Sequence, residues 1–285
     1  MNYDTFIKDG SLTYSVDMVR LSTKITFFEW TRLQALLDVV KDSKKYSQNK
    51  VGTYKYNYVM SDFFGSTYWI GYYPFTPKDC NPNSKKTLTI EFNPNKVDYD
   101  SSFNNILFGL LQRYDFKLVR FDLAIDIPRN ILDFGLLYKN KKRIFKCFSN
   151  GGDDLTYYFG KGNNAIKIYN KKRESNLNYE LTRYEITCKA DFLISTDLKY
   201  EYNFCFMDLE CGAYQLGLVE DKTLLGLAYA VNCGFDKKNL TRSYKSKLEK
   251  LAKDSTSYHF SNEIACETIQ MFINKLKKIR CKVGV

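Results

Sequence analysis

Arg120-Phe-Asp-Leu-Ala-Ile-Asp126, read with Lys167-Ile-Tyr-Asn-Lys-Lys-Arg-Glu174 and Thr182-Arg-Tyr-Glu-Ile-Thr187, decides how this chain folds. Residues two apart in a strand share a face. In the first block Arg120, Asp122, Ala124 and Asp126 therefore fall on one side, and Phe121, Leu123, Ile125 and Ile127 on the other. The third block sets Arg183 and Glu185 against Tyr184 and Ile186, and the middle block sets Lys167, Tyr169 and Lys171 against Ile166 and Ile168. Strands patterned in this way pack one apolar face on a core and gather acids, a tyrosine and cations on the other. Carboxylates beside a phenol and cations are the inventory of a metal-assisted phosphoryl-transfer site.

Outward from these blocks the chain reads as mixed α and β. Residues 14–25 alternate as a strand, and Thr26-Phe-Phe-Glu29 matches a capping box that opens a helix through residue 40. Residues 54–63, 66–73 and 87–92 are aromatic and β-branched runs parted by Gly, Pro and Asn, the pattern of an antiparallel meander. A helix over residues 103–113 leads into the first carboxylate strand. A second unit follows, with a helix over 131–138 and strands over 143–148, 155–159, 165–170 and 183–188. The two units resemble each other loosely in order, without a sequence repeat. The turn Phe159-Gly-Lys-Gly162 lacks the spacing of a phosphate-binding loop and reads as a hairpin. After Asp191 strand signals fade, and residues 224–231, 245–253 and 262–279 look helical. The expected fold is α+β: an antiparallel or mixed central sheet with helices on one side, over residues 1–190, plus a mainly helical C-terminal region, residues 191–285.

Composition narrows the chemistry. The 285 residues carry 44% hydrophobic content, enough for a full core, and a formal net charge of +11 that favours a polyanionic partner. Basic residues cluster at 139–143, 171–173 and 275–280. No run of about eighteen apolar residues occurs and the N-terminus lacks the form of a secretion signal, so a cytoplasmic protein without a membrane span is expected. The eight cysteines include no C-x-x-C pair, which argues against structural zinc and fits reduced thiols. The single histidine, His259, stands far from the three blocks, which excludes a Ser-His-Asp arrangement or a histidine metal cluster there. A metal bound by carboxylates alone is a hard cation, Mg²⁺ or Mn²⁺.

Each residue also has a plainer reading. With 23 tyrosines in the chain, Tyr169 is distinguished by its strand between two acidic ones. Asp122 could pair with Arg120 or Arg183, and Glu185 with Arg183, as structural ion pairs. Lys171, Lys172 and Arg173 could form a solvated edge, or hold a strand of nucleic acid through its phosphates. The C-terminal basic residues, among them Lys245, Lys277 and Lys278, suit either a soluble helix face or a DNA backbone.

The ordered patterns R-x-D-x-A-x-D at 120–126, Y-x-G at 158–160, I-Y-N-K-x-x-E at 168–174 and T-R-x-E at 182–185, with the opening Ser15-Val-Asp-Met-Val-Arg-Leu21, resemble the trans-acting (Rep_trans) replication initiators of rolling-circle plasmids. Relatives of that family include conjugative relaxases and filamentous-phage initiators. The resemblance covers about residues 12–190. It implies a relaxase/HUH-like nickase core of two loosely similar halves that nicks and closes origin DNA with Mg²⁺ or Mn²⁺. By the resemblance Tyr169 is the nucleophile, Asp122 and Glu185 bind the metal, and Asp126 is a helper. Lys167 and Lys171 would ease ionisation of the phenol, and Arg120, Lys172, Arg173, Arg183, Lys245, Lys277 and Lys278 are the candidate DNA contacts. It further implies a homodimer, and a host helicase counts among the partners to expect. A conjugative relaxase, and a non-catalytic DNA-binding protein on the same fold, are the competing readings.

Overall fold

The computed structural model describes residues 6–39, 43–46, 54, 56–61, 67–72, 84–97, 105–131, 134–138, 145–162, 165–189, 204–208, 223–224, 226–227, 230, 235–254 and 262–281. The strands are β1 (Phe6–Asp9), β2 (Leu12–Ile25), β3 (Ser43–Tyr46), β4 (Tyr56–Ser61), β5 (Thr67–Tyr72), β6 (Lys86–Phe92), β7 (Lys117–Ile127), β8 (Phe134–Tyr138), β9 (Phe145–Ser149), β10 (Leu155–Phe159), β11 (Ile166–Asn170), β12 (Thr182–Lys189) and β13 (Phe204–Asp208). The helices are α1 (Phe27–Val39), α2 (Asn105–Arg113), α3 (Lys171–Ser175), α4 (Arg242–Asp254) and α5 (Asn262–Cys281).

One antiparallel sheet runs in the order β3-β4-β5-β6-β2-β7-β12-β11-β10-β9, with β1 added beside the start of β2. The order contains a symmetry. After β2 the chain makes α1 and the strands β4, β5 and β6, of which β6 returns to pair with β2. After β7 it makes β10, β11 and β12, of which β12 returns to pair with β7. The first strands of the two units, β2 and β7, pair at the centre. These are the two similar halves expected from the order of elements.

Alternation gives the sheet one apolar face. Tyr58, Ile70, Ile90, Leu21, Phe121, Leu123, Ile125, Tyr184, Ile186, Ile168 and Tyr157 are all buried there, and helices cover them. In α1 the buried residues Trp30, Leu33 and Leu37 recur at helical spacing, and the Trp30 indole stacks on Tyr72 with ring centroids 4.7 Å apart. Its start is the expected capping box: Glu29 N–H donates to Thr26 Oγ1 at 3.2 Å, and Thr26 N–H donates to Glu29 Oε2 at 2.8 Å. Leu107, Leu110 and Leu111 of α2, and Ala265, Ile269 and Phe272 of α5, complete the core. Helix α5 packs on β2 and α2, so a segment beyond residue 190 sits on the apolar face of the sheet.

Two expectations are overturned. Residues 134–138 form β8, not a helix, and pair antiparallel with β13 in a separate two-stranded sheet. Phe134-Gly-Leu-Leu-Tyr138 has apolar residues compatible with either period, and Gly135 weakens the helical one. β13 lies where no strand signal was read. The helices expected over 245–253 and 262–279 are present as α4 and α5, while half of that over 224–231 lies outside the described residues. Among the described residues no helix is long and apolar enough to cross a membrane.

Candidate functional site

The other face of the sheet is polar, and register sets its side chains in two rows. One row runs Thr13, Asp126, Arg183, Tyr169, Thr156, Phe148 across β2, β7, β12, β11, β10 and β9. The next runs Ser15, Ala124, Glu185, Lys167, Tyr158, Lys146 over the same strands. Asp122 is one step further along β7, opposite Thr187. The three sequence blocks therefore share one face, with Tyr169 on the strand next to Glu185.

Tyr169 is 4% exposed, but what covers it is charged. Its hydroxyl donates to Glu185 Oε2 at 3.3 Å. The Lys167 ammonium lies 3.9 Å from the ring centroid and that of Lys171 5.7 Å. Burial raises the phenol above its ordinary value, and the Glu185 carboxylate adds to the rise. Burial also pushes Glu185 up to about 7, with Asp17 and Asp122 adding to the rise while Lys167 and Arg183 oppose it. Asp122, 5% exposed, is raised by burial in the same way, with Arg120 pulling it back. Its Oδ1 has no hydrogen-bond partner, and Arg120 reaches its Oδ2 only at 3.4 Å.

Asp126 and Arg183, read as a metal helper and a DNA contact, are bound to each other. Arg183, 7% exposed, donates Nε–H to Asp126 Oδ1 at 2.6 Å, an Nη2 hydrogen to Asp126 Oδ2 at 2.7 Å, and an Nη1 hydrogen to Asp17 Oδ1 at 2.6 Å. Burial works against the guanidinium charge, yet the two carboxylates hold it more firmly protonated than usual. Arg183 and Asp126 thus form a buried bidentate fork.

Alternation set Lys171 on the face of Tyr169, as if the strand ran on past its expected end at residue 170. Instead β11 stops at Asn170, whose side chain caps α3 by accepting from Arg173 N–H at 3.1 Å and donating to the Asp153 carbonyl at 2.9 Å. The helical turn folds Lys171 back beside Tyr169, where it is buried and paired with Glu174. Lys172 pairs with Glu180, and the exposed Arg173 with Asp153 at 2.7 Å. Lys245 donates to the Lys238 carbonyl at 3.1 Å. Lys277 and Lys278 are exposed on α5, which belongs to the helical layer across the sheet from Tyr169.

The residue the sequence reading missed is Asp17. It accepts from Arg183 and from Asn93 Nδ2 at 3.0 Å, and its charge reaches both Tyr169 and Glu185. It sits where the β2–β7 register shifts between Val16 and Met18. Thr13 and Ser15 before it share its parity and lie on the polar face, while the bulge reverses the parity of β2 from Met18 onward. Among the described residues no group of three or more His, Cys, Asp or Glu side chains is disposed to hold a metal ion.

No protein-family model matches the chain. One replication initiation protein of Staphylococcus aureus is 32% identical over 133 residues, 44% of this chain and 41% of that protein. A second from the same organism is 27% identical over 179 residues, 60% of this chain and 55% of that protein. The chain is similar to these replication initiation proteins over those stretches. It spans about half the length of the relatives it matches. A rolling circle replication initiator structure from Geobacillus stearothermophilus superposes with a TM-score of 0.36 and 14% identity over 85% of this chain and 97% of that one, a level that does not establish a shared fold.

Proposed function

We propose that this protein starts rolling-circle replication by nicking and closing origin DNA through Tyr169. The observation that carries the reading is the Tyr169 hydroxyl directed at Glu185, an acid raised to about 7, with two lysine ammonium groups over the ring. A carboxylate of that pKa is a fitting base at neutral pH for a phenol that needs to lose its proton. The nearby cations lower the cost of the phenolate. Arrival of a scissile phosphate draws Lys167 off the ring and opens the way to the hydroxyl.

The reaction then balances simply. Tyr169 Oη gives its proton to Glu185 and bonds to phosphorus, the bond from phosphorus to the 3′ oxygen breaks, and that oxygen takes up a proton as a free 3′-OH. A 5′-phosphotyrosine ester remains, which the 3′-OH of the displaced strand reverses to close the circle. A polymerase extends the first 3′-OH in between. Asp17 and Asp126 fix Arg183, which holds the strand carrying Glu185 in register, and the charge of Asp17 adds to the rise of Glu185.

The acids also fit a divalent cation. Mg²⁺ takes one or two carboxylates and completes its shell with water and substrate phosphate. Asp122, with an unpartnered buried oxygen, and Glu185, whose second oxygen does not serve Tyr169, are the residues that would hold it. When bound, it would offset charge building on the phosphate oxygens. A second subunit for the closing step, and a helicase to unwind the nicked duplex, complete the proposed assembly.

The test is a labelled random-sequence pool of single-stranded oligonucleotides incubated with Mn²⁺. Cleavage with a 3′-OH end and a covalent protein–DNA band is expected from the natural protein. Tyr169→Phe should bind DNA as well and give neither product. Equal cleavage by both proteins would overturn the assignment.

A further inference from the structure

The two polar rows do not end at Tyr169. Beyond it, on β10 and the edge strand β9, they continue into Phe148, Tyr158 and Lys146. Phe148 is 57% exposed and Tyr158 38%, and their rings meet edge to face with centroids 5.6 Å apart. Together with Lys146, Lys161 and Gly160 they line an open cleft of about 410 Å³. Gly160, at φ 78°, turns the chain in a conformation side chains rarely adopt and leaves one wall of the cleft as bare backbone. Two large aromatics held open to solvent at the end of an otherwise charged face are not explained by the core, which is on the other side of the sheet.

We propose that this cleft is a stacking platform for single-stranded DNA that seats the bases next to the scissile phosphate. The proposal rests on the reading of Tyr169 as the strand-cleaving group and adds where the flanking nucleotides go. Aromatic faces accept any base, and lysines beside them track the phosphates, which is how single strands are gripped without sequence readout. Geometry supplies the direction. The platform starts one strand away from Tyr169 and ends at the sheet edge, about 10 Å from the strand of Tyr169 at ordinary strand spacing. A strand laid along the rows therefore meets Tyr158 and Phe148 with its bases while its phosphate backbone passes Lys146, Lys167 and Tyr169. Single-stranded DNA suits the cleft better than a second copy of the chain, because lysines flank both aromatics and the charge continues to the reacting group.

The experiment compares the full chain with Phe148→Ala, with Tyr158→Ala and with Lys146→Gln. Binding of fluorescein-labelled oligothymidylate is measured by anisotropy in EDTA, beside an abasic oligomer of the same length and charge. Loss of either ring should weaken oligothymidylate binding by about tenfold and leave abasic binding unchanged. Lys146→Gln should weaken both and lower the salt slope by about one. If the ring variants bind oligothymidylate as the natural protein does, or lose self-association in sedimentation in place of DNA binding, the platform is refuted. If the natural protein forms no adduct while the ring variants still lose oligothymidylate binding, the platform stands and the reading of Tyr169 falls.

Discussion

Glu185 carries the clearest consequence at the scale of single residues. Its carboxyl is raised from an ordinary 4.5 to about 7, so the folded protein keeps a proton that the unfolded chain has lost over that window. Stability from this group is therefore full below about pH 4.5 and is lost as pH rises to about 7, a change of roughly 3 kcal/mol. Urea denaturation at pH 5 and pH 8 should show the fall in the natural protein and a much smaller one in Glu185→Gln. Mn²⁺ should restore stability at pH 8 in the natural protein and not in the variant. A profile that is flat from pH 5 to 8 in both proteins would show that the acid is not raised.

The same scale shows what the sequence could reveal. Asp122, Tyr169 and Glu185 were legible because strict alternation puts each on the polar face and because the strands pair in register. Asp126 and Arg183 were placed on the right face, but their pairing with each other was not read. Which cation pairs with which acid depends on the lateral neighbour, and that neighbour includes Asp17, which reaches Arg183 from a strand two places across the sheet.

At the scale of elements, α3 shows how a short helix sets a site. Asn170 ends β11, caps the turn and ties it to the Asp153 loop, and the turn in turn lays Lys171 beside Tyr169. Asn170→Ala removes the cap acceptor and the donor together, and should cost about 2 kcal/mol in denaturation while slowing DNA cleavage. Asn170→Ser keeps a capping oxygen and should recover part of both losses. Unchanged cleavage in Asn170→Ala would mean that the placement of Lys171 does not matter. Elements with a local signal, such as the capping box of α1 and the meander β4 to β6, were readable. β8 and β13 were not, since each is stabilised by a partner distant in sequence and carries no alternation of its own.

The whole molecule is two like units joined through β2 and β7, with helices on one side and the site on the other. The helical C-terminal segment was expected from its apolar spacing, but its packing on β2 and α2 was not, because a buried stripe does not say which surface it meets. Phe272, buried in that packing, should cost about 3 to 5 kcal/mol when changed to Ala, measured by urea denaturation. A cost under 1 kcal/mol would mean that α5 is not part of the core.

The central claim is that one phenol on this sheet takes over the end of a DNA strand. The most direct measurement is protease digestion of the covalent protein–DNA complex formed with Mn²⁺, followed by mass spectrometry of the nucleotide-bearing peptide. The account predicts a phosphodiester on Tyr169 in the peptide that spans β11. A nucleotide on Tyr158 or any other residue, with Tyr169 unmodified, would contradict it.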